Sequence, residues 1–168
     1  VKLGYQGEVA PNFSVGVSYQ SKMSMGEFDE YKGLFAESGG FDIPSTYTLG
    51  LAYDFGASGK LVLDMQKINY TDVASISNPI QNLFPCALGP DPTQCLGGSN
   101  GAGFGWEDMT IIKLGYEMES NGNTYRVGYS VGDQPIPGGT TPTSSGTSQT
   151  LFNILAPATI EQHITFGM

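Results

Sequence analysis

Apolar and polar residues alternate with a period of two in seven stretches of the chain, the pattern of β-strands with one apolar and one polar face. Val1, Leu3, Tyr5 and Val9 alternate with Lys2, Gln6 and Glu8 in the first. Phe13, Val15, Val17 and Tyr19 alternate with Ser14, Gly16, Ser18 and Gln20 in the second. Tyr47, Leu49, Leu51, Tyr53 and Phe55 mark a third strand. A fourth, near 60–70, runs Leu61, Leu63, Met65 and then shifts phase to Ile68 and Tyr70, which predicts a β-bulge. Ile112, Leu114, Tyr116 and Met118 define the fifth, within about Asp108–Met118. Tyr125, Val127, Tyr129 and Val131 define the sixth, and Ile164, Phe166 and Met168 the seventh.

The connections follow a rhythm. Short turns at 11–12, 56–59 and 119–123 alternate with long segments at 24–44, 71–106 and 133–157. Short turns at one end and long loops at the other are what outer-membrane barrels show. Unstructured loops of that length are uncommon in compact soluble domains. The expected fold is all-β: an antiparallel transmembrane β-barrel of which about seven strands are present. A soluble sandwich that buries the apolar face as its core is the competing reading. Both ends fall within a strand pattern, so 1–168 is expected to be part of a single larger barrel domain. Seven strands with two free edges would leave backbone groups unpaired in a bilayer.

Composition narrows the function classes. Seven basic and 16 acidic residues give a net charge of −9, which argues against a nucleic-acid partner. Charged residues make up only 14%, against roughly 25% in ordinary soluble domains. Glycine reaches 24 residues, with nine tyrosines and nine phenylalanines, suited to a sheet with one face against lipid. No apolar run is long enough for a transmembrane helix. Lys2, Glu8, Asp54, Arg126, Glu161 and His163 all fall in the polar phase, away from the face where charge is costly.

Four groups of residues are candidates for function. Cys86 and Cys95, nine positions apart in one long segment, are expected to form a disulfide in an oxidising setting. Phe104 and Trp106 in the second long loop, with Phe152, Ile154 and Leu155 in the third, either pack among loops or line a path for a greasy ligand. Lys113, Arg126, Glu161 and His163 are polar candidates for the barrel interior. Lys113 and Arg126 either hold a ligand carboxylate or pair internally with Glu117 or Glu161. His163, the single histidine, fits a satisfied interior side chain better than a hydrolytic site, which would need a Ser–His pair on the lipid side. Glu27, Asp29, Glu30, Glu37 and Asp42 form either a solvated loop or a divalent-cation contact to lipopolysaccharide. No nucleotide or zinc motif is present, so neither cofactor nor metal is expected.

Several segments, in order over nearly the whole chain, resemble the FadL/TodX family of outer-membrane transporters. They are Gly39-Gly40-Phe41-Asp42-Ile43-Pro44-Ser45-Thr46, Gly103-Phe104-Gly105-Trp106-Glu107-Asp108-Met109-Thr110, Gly132-Asp133-Gln134-Pro135-Ile136-Pro137, Leu151-Phe152-Asn153-Ile154-Leu155-Ala156-Pro157 and the closing Glu161-Gln162-His163-Ile164-Thr165-Phe166-Gly167. The resemblance implies a monomeric 14-stranded barrel with an N-terminal plug that lies, like the first strands, outside this sequence. It implies uptake of long-chain fatty acids or aromatic hydrocarbons across the outer membrane of a Gram-negative bacterium, and no enzymatic activity. The barrel would contact outer-membrane lipid and lipopolysaccharide. The departures, the cysteine pair and the Gly/Thr/Ser-rich 138–150, lie in the loops. A general diffusion porin and a structural or adhesin-like barrel are the alternatives.

Overall fold

The computed structural model describes residues 1–34, 36–89, 91–137, 153 and 160–168. Seven strands form one antiparallel sheet in chain order: β1 (Lys2–Ala10), β2 (Phe13–Gln20), β3 (Ser45–Asp54), β4 (Lys60–Asn69), β5 (Met109–Ser120), β6 (Asn123–Gly132) and β7 (Gln162–Gly167). Each strand pairs with its sequence neighbours. β5, with 12 residues, is the longest. Four of the others have 9 or 10 residues, the length a tilted strand needs to cross a bilayer. No helix among the described residues is long and apolar enough to cross a membrane.

The register aligns the apolar phases of all seven strands on one face. One row runs Tyr5, Val17, Leu49, Met65, Ile112, Val131 and Gln162. The next runs Val15, Leu51, Leu63, Leu114, Tyr129 and Ile164. No second layer covers this face among the described residues, and Leu49, Leu63, Leu114 and Phe166 are exposed. A sandwich would have buried them, so the sandwich reading falls. Aromatic rings gather mainly toward the two ends of the face. Tyr19 and Tyr47 stack at 4.8 Å near the loops, and Phe13, Tyr53 and Phe55 cluster near the turns. Such girdles mark the two interfaces of barrel walls.

The short turns need left-handed backbone. Asn121 (φ 53°) and Gly122 (φ 77°) form a two-residue hairpin of the Asn-Gly type. Asn12 takes φ 64° between β1 and β2, beside a register irregularity at Glu8/Ala10. That irregularity replaces the bulge expected in β4, which pairs without interruption on both sides. The phase shift has another cause. Lys67 takes the outward position near the strand end and meets Asp108 at 3.5 Å. Ile68 turns to the polar face, opposite Met109, which the loops bury.

The first two long connections are organised. The described parts of 21–44 and 70–108 fold onto one another as a cap, with short helices at Ala74–Ser77 and Leu83–Leu88. Ala36, Val73, Ile76, Ile80 and Ala102 are its buried apolar centre, and Met109 at the start of β5 is buried as well. Ser75, fully buried, donates to the carbonyls of Ala36 and Gly40 and joins the two loops. Gly103 passes so close to the helix that an added Cβ would lie within 2.9 Å of three backbone carbonyls, a place only glycine fits.

Candidate functional site

Two surfaces bear on function: the polar inner face of the sheet and the cap over its loop end. On the inner face the central row runs Gln6, Gly16, Gly50, Asp64, Lys113, Ser130 and His163. Alternation puts these side chains on one side, because the period of a strand is two. A recess of about 370 Å³ lies among Asp64, Lys113, Ser130, His163 and Thr165, with the paired Gly115 and Gly128 beneath. A second recess of about 450 Å³ borders Gly4, Ser14, Gly16, Ser18, Gly50 and Asp64. Small residues open both.

The four polar candidates separate. Arg126 donates from Nε to Glu117 at 2.6 Å, so the internal-pairing reading describes it. Glu161 accepts a hydrogen bond from Gln134 at 3.1 Å, at the loop end. Lys113 donates to the neutral Gln66 amide at 3.3 Å, and its charge faces the recess it shares with Asp64. His163 lies opposite Ser130 on the inner face, not on the lipid side a barrel hydrolase would use. The turn end of this face carries more charge than a purely Gly/Ser/Thr interior: Glu8, Asp54, Lys60, Glu117 and Arg126 gather there. Lys60 and Asp54 stand 3.8 Å apart.

In the cap, Phe104 and Trp106 sit just before β5 and are half-buried. The Trp106 ring meets Tyr70 edge-on at 5.1 Å. Its Nε1 donates to Asn153 Oδ1 at 2.6 Å, and Asn153 Nδ2 donates to the Phe104 carbonyl at 2.9 Å. Burial raises the Tyr70 hydroxyl above its usual value. Phe152, Ile154 and Leu155 lie outside the described residues, so only Phe104 and Trp106 of that set are placed. Sequence reading passed over Asn153. Its signal was a lone amide inside Leu151-Phe152-Asn153-Ile154-Leu155, since a polar side chain buried among apolar ones needs partners.

The acidic loop does not converge. Among the described residues no three carboxylates, histidines or cysteines are grouped to hold a metal ion. Asp42 accepts from the Met25 N–H at 3.0 Å and pairs with Lys22 at 3.1 Å. The Met25 N–H holds its carboxyl below the ordinary 3.8, against burial, with Lys22 adding to the effect. Burial acts to raise the Asp108 carboxyl, but donors from Thr71 and the charge of Lys67 together bring it below 3.8. Cys86 and Cys95 are bonded, with Cα atoms 4.8 Å apart, in the second loop.

No family model and no curated protein matches the chain. Solved structures do. The toluene transporter TodX of Pseudomonas putida aligns over 99% of this chain and 38% of its own, with 16% identity and a TM-score of 0.51. The toluene transporter TbuX of Ralstonia pickettii (15% identity, TM-score 0.48) aligns over 79% of this chain and 35% of its own. The CymD monoaromatic hydrocarbon channel (13%, 0.48) aligns over 79% and 36%. This chain thus spans little more than a third of each. In fold, it is a stretch of β-barrel wall of the kind seen in TodX.

Proposed function

We propose that the chain is the C-terminal part of a single outer-membrane barrel of the FadL/TodX kind, which passes hydrophobic compounds into a Gram-negative cell. An N-terminal plug and the first strands would complete the domain, and the whole would work as a monomer. The observation that carries this reading is the uncovered apolar face with aromatic ends, opposite an inner face opened by small residues. The first expects lipid, the second a conduit. In this reading Phe104 and Trp106, held by Asn153, form an aromatic entrance for a ligand crossing from the loops toward the inner face. Phe152, Ile154 and Leu155 extend that apolar lining in this reading. The fold likeness to a toluene transporter supports a hydrocarbon ligand, and fatty acids belong to the same proposal.

Uptake of labelled toluene and of a long-chain fatty acid by cells carrying the full-length protein tests it. Trp106→Ser should cut uptake severalfold without lowering the amount inserted in the membrane. Trp106→Phe, which keeps the apolar ring and loses the N–H, should retain most of it. Equal loss in both variants would assign Trp106 to cap structure instead. Rapid swelling of protein-loaded liposomes in sugars would favour a diffusion porin.

A further inference from the structure

The cap leaves apolar residues on its surface as well as inside. In the first loop the Tyr31 N–H donates to the Phe28 carbonyl at 2.7 Å and the Leu34 N–H to the Tyr31 carbonyl at 2.8 Å, around the short helix Asp29–Tyr31. Bonds of that span wind the chain at three residues per turn, so residues three apart share a side. Phe28, Tyr31 and Leu34 therefore form one ridge, exposed by 51%, 53% and 48%. The second loop extends it. Gly97 runs so close to the Lys32 carbonyl that an added Cβ would lie 2.2 Å from it, and the Gly97 carbonyl accepts from the Ser38 N–H at 3.0 Å. Exposed Leu96 thereby comes alongside the ridge. Carboxylates border it: Glu27, Asp29, Glu30 and Glu37 are exposed. Among the described residues none of the four has an ion pair or a side-chain hydrogen bond. Lys32 is the one cation of 27–37, so four carboxylates against one lysine leave three negative charges there.

We infer that this ridge is a docking surface for a cationic amphipathic segment of a partner protein, its apolar side chains on Phe28 and Tyr31 and its lysines or arginines on the bordering carboxylates. Charge complementarity picks the occupant. The carboxylates are spread around the ridge and do not converge to hold a metal ion, which suits several separated cations better than one. A phosphate- or carboxylate-bearing amphiphile is repelled by them, as is a second copy of the same acidic ridge. A neutral hydrocarbon gains nothing from the charges, and a plain polycation leaves the apolar residues uncovered. A segment with an apolar face and a basic border answers both features. The inference asks only that the cap face water, and it stands apart from what the barrel carries.

The test uses the full-length protein in phosphatidylcholine nanodiscs and a fluorescein-labelled peptide of leucine and lysine at helical spacing, about four turns long. Binding is read by anisotropy against empty nanodiscs. The triple variant Glu27→Gln/Asp29→Asn/Glu30→Gln should weaken it about tenfold, since three rim charges contribute modestly each, and added salt should weaken the wild type likewise. Phe28→Ser/Tyr31→Ser, which keeps the charge, should also weaken it about tenfold, whereas Lys113→Gln on the inner face should not. A wild type that binds no peptide above the blank overturns the site, as does wild-type affinity in either multiple variant. Equal binding of polylysine overturns it and leaves only an acidic surface. Equal binding of the peptide with glutamate for lysine overturns it and leaves an unselective apolar patch. Displacement by dodecanoate would make the ridge a cargo station, and displacement by calcium chloride beyond that by sodium chloride of equal ionic strength would make it a metal contact; both overturn the inference. Limited proteolysis of 70–108 reads cap integrity: where the ring variant loosens the cap, the charge variant, whose side chains hold nothing in it, decides.

Discussion

In the strands the large apolar side chains are the exposed ones, Leu3 and Tyr5 at 66% each, whereas in the loops Val73 and Ile80 are at 1%. The usual arrangement of a core inside sheets and polar loops outside is inverted. The wall holds together by its backbone ladder and leaves its apolar face for the surrounding solvent to cover, which must then be hydrocarbon. The cap sits where that solvent ends. It builds a miniature interior of its own from Ala36, Val73, Ile76, Ile80 and Ala102, joins its two loops through Ser75, and staples the second of them with a disulfide. One chain therefore answers to two solvents, and a perturbation should act on one region and spare the other.

The sharpest break is a charge on the outer face. Leu114→Arg, in the middle rows of the wall, should cost about 2–4 kcal/mol in urea titrations of protein refolded into vesicles. Gly16→Arg on the inner face, where an added Cβ meets nothing closer than 3.9 Å, should leave insertion close to wild type. Equal costs on the two faces would mean the outer face is not in lipid. Reduction of Cys86–Cys95 comes next. Opening a ring this small should release about 2.5–3 kcal/mol of restraint on the unfolded loop. Faster proteolysis of 70–108 is expected, with the sheet still inserted. Unchanged proteolysis would show that the cap does not depend on its bridge.

The smallest effect is acid loosening of the first loop. Asp42 has its pKa lowered in the folded cap, so its contribution is complete above the ordinary 3.8 and is lost as pH falls through the lowered value. The Met25 amide should therefore exchange faster with solvent hydrogen at about pH 3 than expected from its behaviour at about pH 5. Asp42→Asn should remove that extra step, and wall amides should show none.

Strand identity was legible because a face in lipid tolerates few exceptions. The alternation through Phe13, Val15, Val17 and Tyr19 needed no tertiary knowledge. The reading slipped at Ile68 and Lys67, where the two solvents meet. There the loops bury the polar face, an apolar Ile68 is at home inside, and Lys67 can look outward because Asp108 is beside it. The cap was not legible, since its order comes from contacts between loops far apart in sequence, such as Ser75 with Gly40 and Trp106 with Asn153. No local period announces such pairs. The interior polar set was legible as a face, yet only coordinates separate Arg126, paired with Glu117, from Lys113, which donates to the neutral Gln66 amide.

The uncovered outer face also bears on how such a chain travels. A contiguous exposed apolar face of this kind is one that water covers poorly and that tends to associate. On the function proposed above, that face has to stay shielded between synthesis and bilayer until lipid becomes available to cover it.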